Sequence, residues 1–174
     1  PARLVDGVDG AKTVGLDGTG LRGLLAQLVE EVDGDRNVEI HEDAHAEVLG
    51  GRFGNRFQLY DDATATLLGG NFRGCFSMGD SSRATIHPGT CINTYIFMSG
   101  SAELDIFGGR MPDRFLDAAA WGGDPRVTFH GYDLFLDPTG GSQGDGLVTG
   151  VFADGKAFAV HLRGAETSSR VRLA

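Results

Sequence analysis

A self-similarity of 19 residues runs through the middle of this chain. Gly50-Gly51-Arg52-Phe53, Gly69-Gly70-Asn71-Phe72 and the weaker Pro88-Gly89-Thr90-Cys91 stand 19 positions apart. Val38, Phe57, Phe76 and Tyr95 repeat at the same interval, as do Ile40, Leu59, Met78 and Phe97. Val48, Leu67 and Ile86 make a third column. After a one-residue slip near Ser99 and Gly100 the pattern resumes through Ile106, Gly109 and Phe115, so the repeat spans about Asn37 to Asp117. A fixed short period means stacked units, each unable to bury its apolar face alone.

The unit contains two short alternating segments, such as Thr64 to Leu68 and Phe76 to Met78, separated by glycine-rich corners and polar turns. Alternation of period two in short runs reads as strand. Nineteen residues cannot hold two ordinary helices of about 10 to 12 residues each with their connections. The expected fold is all-β, a single-stranded parallel β-helix with about 19 residues per coil, an N-terminal capping helix and a C-terminal β-hairpin. Each coil would climb about 4.8 Å, which makes Val38, Phe57, Phe76, Tyr95 and Phe115 a stacked ladder in the lumen. Gly51, Gly70, Gly89 and Gly109 are expected at corners, where positive φ is needed. None opens a helix with the Lys and Ser or Thr of a phosphate loop.

One domain over residues 1–174 is expected: an N-terminal segment with a capping helix over 1–36, coils over 37–136, and a hairpin cap over 137–174. The helix is read from Leu21, Leu24, Leu25, Leu28 and Val32, which share a face at helical spacing. The hairpin is read from Leu147 to Ala153 and Lys156 to Leu162 around Asp154-Gly155, a signal for a two-residue turn, with Val171 to Leu173 as a further strand. Val127 to Tyr132 and Leu134 to Leu136 suggest an irregular coil before it.

The formal charge of −9 argues against nucleic acid or anionic lipid as partner, because both are held by clustered Lys and Arg. No run of about 18 apolar residues is present, so membrane insertion is not expected. Cys75 and Cys91 are the only cysteines, and a disulfide between neighbouring rungs is open to them beside the alternative of two reduced thiols in small apolar sites. A bridge would imply an oxidising compartment.

The repeated GGRFGNRF and GGNFRGCF, followed by VTFHGYDL and LVTGVFADGKAF, resemble β-helical regions of secreted bacterial surface proteins with GGxFxxxF repeats, many of which carry a sorting tail of the PEP-CTERM type. The resemblance covers about Asn37 to Leu162; the tail itself is not in the sequence, which ends Arg172-Leu173-Ala174. It implies an exported protein at the cell surface or outside the cell, with a leader peptide removed before Pro1.

No catalytic constellation emerges. The stacked acids are Asp43 and Asp62 with Ser81, and Asp61 with Asp80, all in turns, where such residues cap backbone groups. No cofactor is expected beyond Ca²⁺, for which Asp62 and Asp80 would be the donors. His41, His45, His87, His130 and His161 are scattered, and the first two would meet only on a helix. The outward column Glu47, Thr66, Thr85 and Asp105 lacks both the converging acids of a glycosidase and the unbroken threonines of an ice-binding face. The function expected is that of an extracellular structural protein, not an enzyme, whose partner is itself, assembling into a filament, sheath or surface layer. The rival is a carbohydrate-binding or polysaccharide-cleaving β-helix, with Tyr60, Trp121 and Tyr132 as its aromatic platform.

Overall fold

The computed structural model describes residues 3–6, 12–16, 25–28, 37–111, 114–117, 123–138, 146–163 and 171–174. Strands β1 (Arg3–Asp6), β2 (Lys12–Leu16) and β3 (Leu25–Leu28) precede the coils. The first coil holds β4 (Asn37–Ile40), β5 (His45–Val48) and β6 (Arg52–Phe53). The second holds β7 (Arg56–Leu59), β8 (Thr64–Leu67) and β9 (Asn71–Phe72), and the third β10 (Cys75–Met78), β11 (Arg83–Ile86) and β12 (Cys91–Ile92). Then come β13 (Ile96–Met98), β14 (Glu103–Ile106), β15 (Arg114–Asp117) and β16 (Arg126–Phe129). The chain closes with β17 (Gly131–Asp137), β18 (Leu147–Phe152), β19 (Ala157–Arg163) and β20 (Val171–Leu173).

Corresponding strands of successive coils pair in parallel, producing three walls. Sheet A runs β1-β2-β4-β7-β10-β13-β15-β19-β18-β17, sheet B runs β3-β5-β8-β11-β14-β16-β20, and sheet C is the short β6-β9-β12. The protein is therefore an all-β parallel solenoid. Phe57 pairs with Phe76 and with Val38, and Leu67 with Val48 and Ile86, as the 19-residue columns require. Within the lumen the rings of Phe53 and Phe72 stack at 4.5 Å, and Phe57 meets Phe72 and Phe76 edge-on at 5.1 and 5.2 Å. On sheet B the buried Ala46, Ala65 and Ala84 stack in register and contribute to the same core.

All four corner glycines take positive φ, Gly51 97°, Gly70 100°, Gly89 104° and Gly109 112°. A second corner column runs Glu42, Asp61 and Asp80 at φ 58°, 56° and 54°, with Gly100 at 63° in the next coil.

The upper half of the ladder differs from the sequence reading. Phe76 pairs with Ile96, not Tyr95, and Met78 with Met98, not Phe97. Leu116, not Phe115, stands opposite Ile96. The extra residue enters at Thr90, ahead of the position near Ser99: Gly89 keeps the corner conformation of Gly70, but Cys91 already pairs with Asn71. Thr90 is buried, its hydroxyl donating to the Leu67 carbonyl at 2.9 Å. The insertion turns Tyr95 outward, where it is 40% exposed.

The N-terminal helix is also corrected over its centre. Residues Leu25–Leu28 form a strand pairing in parallel with β5, Ala26 opposite Ala46 and Leu28 opposite Val48. Backbone pairing to an existing sheet edge supplies hydrogen bonds that a short isolated helix would have to nucleate alone. Residues 21–24 and 29–32 of the expected helix lie outside the described ones.

At the other end β16 pairs with β14 as a true coil strand, but β17 joins an antiparallel meander with β18 and β19, so the cap begins at Gly131 and not at 137. The Phe152 and Phe158 rings of this meander stack at 4.0 Å, and Phe158 meets Phe129 at 5.6 Å, which roofs the lumen. The β18–β19 turn has three residues, Ala153 to Gly155, closed by Gly155 N–H to the Phe152 carbonyl with Gly155 at φ 81°, where two were expected. The expected strand at Val171–Leu173 is present and extends sheet B beside β16.

Candidate functional site

Three rows of outward side chains on sheet A make a recess in a coil face. Arg56, Gln58 and Tyr60 follow β7, the small Cys75, Ser77 and Gly79 follow β10, and Phe97 and Ser99 follow β13. A row of small groups between Arg56, Gln58 and Tyr60 on one side and Phe97 on the other leaves a trough along β10 of about 350 Å³, within the range of small-molecule sites. Register places Arg56 beside Cys75, and Ser77 between Gln58 and Phe97. The Gln58 amide donates to the Ser77 hydroxyl at 2.9 Å and fixes the floor. Burial, then the Glu39 carboxylate, raises the Tyr60 pKa above its usual value, so the phenol stays a neutral hydrogen-bond donor. The other face of Tyr60 is taken by the His41 ring, stacked at 4.8 Å.

A second hollow of about 550 Å³ lies between the corner at Thr90 and Cys91 and the β19 residues Ala157 to Ala159. Two cations line it, Arg110 and Lys156; Lys156 is held by Asp154 at 2.9 Å, and the Asp154 pKa falls below the ordinary carboxylate value through hydrogen bonds to the Lys156 side chain and backbone.

The remaining sequence-derived residues sort by the register. The turn acids act between coils: Asp61 accepts from the Glu42 N–H at 3.0 Å and Asp80 from the Asp61 N–H at 3.2 Å, each capping the coil before it and not its own turn. Asp43 and Asp62 fall in the next, exposed column with Ser81, so Asp62 and Asp80 share no column. Among the described residues no group of three His, Cys, Asp or Glu is placed to hold a metal ion. Glu47, Thr66, Thr85 and Asp105 do align in one outward column, continued by Thr128. His45 bonds Thr64 at 2.7 Å. His87 and His130 sandwich Phe107 at 5.4 and 3.9 Å, with His130 bonded to Asp105 at 2.8 Å. His161 lies on β19.

Cys75 and Cys91 are free. They sit on different walls, Cys75 in sheet A opposite Arg56 and Cys91 in sheet C opposite Asn71, so of the two alternatives open to them the bridge is not formed. Of the proposed aromatic platform, Tyr60 lines the trough, Tyr132 stands on β17 at the end of the sheet, and Trp121 lies outside the described residues. The chain matches no protein-family model, no curated protein and no solved structure.

Proposed function

We propose that this chain is a structural module that associates with its own copies through the open strands at its C-terminal end, in the exported or surface setting suggested by its GGxFxxxF repeats. The observation that supports this reading is β17. It is the last strand of sheet A, with β18 on one side and no strand on the other among the described residues. Tyr132 and Phe135 on it are 65% and 62% exposed, and Leu173 on β20, the end strand of sheet B, is 39% exposed. An open edge bearing apolar side chains is a template for a strand from another chain. Asp133, at φ 51° beside a register shift, divides the edge, so a partner would engage it on one side of the bulge.

Sedimentation velocity across a concentration series, with electron microscopy of the same samples, tests the proposal. The wild type is expected to associate, and Phe135→Lys, which sets a charge on the edge, to shift the distribution to monomer. A wild type that stays monomeric throughout would remove self-association as its activity. A carbohydrate-binding role has Tyr60 in its favour, since that ring borders a recess.

A further inference from the structure

We propose that the trough over β10 is a binding site for a small flat ring that carries a carboxylate. β10 lies inside sheet A, between β7 and β13, and both its backbone edges are already paired. An extended peptide or a strand of a second copy would find no backbone partners there. The occupant must be held by side chains, and the side chains present are of two kinds. Tyr60 and Phe97 rise on opposite sides of the row Cys75, Ser77 and Gly79, offering ring faces to a flat apolar body. Gly79 widens the Tyr60 end, for a Cβ there would already touch the Tyr60 ring at 3.7 Å and the Ser99 hydroxyl at 3.4 Å.

At the other end Arg56 is exposed and makes no ion pair among the described residues, in a chain whose formal charge is −9. The nearest acid on the neighbouring strand, Glu39, aligns with Gln58 and is directed to His41 at 3.6 Å. A planar guanidinium is suited to a carboxylate, which it can grip with two parallel hydrogen bonds. Beside Arg56 the polar groups of the trough are Gln58, Ser77, Ser99 and the Tyr60 phenol; Gln58 and Ser77 bond each other and Ser99 donates to the Met78 carbonyl, which leaves too few to satisfy the hydroxyls of a sugar ring but enough to orient one anionic group.

Cys75 on the floor supplies the readout. In a Cys91→Ser background the rate of Cys75 modification by N-ethylmaleimide is measured with 2-naphthoate, its neutral amide 2-naphthamide, or glucuronate. Naphthoate is expected to slow the reaction saturably, about tenfold at about ten times its dissociation constant. Naphthamide is expected to protect far less, glucuronate to be the weaker acid ligand, and Arg56→Gln and the trough-filling Ser77→Leu to abolish protection by naphthoate. No slowing by naphthoate, equal slowing by the amide, or protection that survives either substitution would overturn the site. Stronger protection by glucuronate would overturn the flat apolar body in favour of a sugar acid. Saturation-transfer NMR with the same three compounds on the wild type decides the matter if Cys75 reacts too slowly to follow.

Discussion

Phe72 stands inside the cluster of rings that fills the lumen. Its ring is 1% exposed and touches those of Phe53, Phe57 and Phe76 at 4.5, 5.1 and 5.7 Å. The backbone around it is pinned to both neighbouring coils, Asn71 N–H to the Gly51 carbonyl at 2.9 Å and Asn93 N–H to the Phe72 carbonyl at 2.7 Å, so the walls cannot close over a gap. For Phe72→Ala the lost transfer of the ring from water is about 2 kcal/mol. The vacated space of about 100 Å³, at about 24 cal/mol per Å³, adds about 2.4 kcal/mol. The expected loss is about 4 to 5 kcal/mol, much of the stability of an ordinary domain. Phe53→Ala, whose ring meets two others among the described residues, those of Phe57 and Phe72, is expected to cost about 3 kcal/mol. Urea unfolding of the variants beside the wild type reads these values as shifts in midpoint at constant slope. A Phe72→Ala loss below about 2 kcal/mol, or one no larger than for Phe53→Ala, would refute the picture of a rigid, pinned ring column.

Ser82 is fully buried in the column of Ala44, Ala63 and Ala102, and its hydroxyl has no hydrogen-bond partner among the described residues. Ser82→Ala should therefore stabilise the protein by about 1 kcal/mol, seen as a higher urea midpoint. Asp61→Ala removes the acceptor for the Glu42 N–H and puts alanine at φ 56°; an exposed site makes the cost about 1 kcal/mol, and Asp61→Gly should recover part of it in the same assay. The Tyr60 pKa is raised above 10.0 by burial and by Glu39, so the folded state holds that proton more tightly than the unfolded chain does. Its contribution is whole below pH 10.0 and is lost as the pH climbs from there through the folded value. Tyr60→Phe should lose less stability than the wild type over that window, measured by urea midpoints on either side of it.

Half of the ladder was legible because its residues admit one reading. Phe57 and Phe76 alternate with polar neighbours, and the glycine pairs at 50–51 and 69–70 mark the corners. The other half was hidden by Tyr95-Ile96-Phe97-Met98, four apolar residues in a row, in which either parity can face the lumen. Thr90 decided the parity from five residues away, at a corner where one more residue costs neither long sheet a hydrogen-bonded strand. Ala26-Gln27-Leu28 repeats the Ala46-Glu47-Val48 and Ala65-Thr66-Leu67 pattern, yet over so short a window alternation and helical spacing overlap. Asp61 and Asp80 were expected to cap their own turns, but the left-handed backbone at Glu42 and Asp61 lets those two N–H groups meet the carboxylate of the next coil. The trough needed the register first, since Cys75, Ser77 and Gly79 are a floor only when their neighbours on β7 and β13 are known.

The second coil meets the third through the same columns by which it meets the first: Phe57 lies between Val38 and Phe76, and Ala65 between Ala46 and Ala84. A duplicate of residues 56–74 spliced after Gly74 would therefore bring its own floor, walls and ceiling, and would find above and below it the kinds of neighbour it already has. Each such copy would lengthen the molecule by one strand spacing, about 4.8 Å, without altering either end. The chain is in this respect a ruler whose graduations can be added by copying, and its length is a quantity that tandem duplication can tune in equal steps.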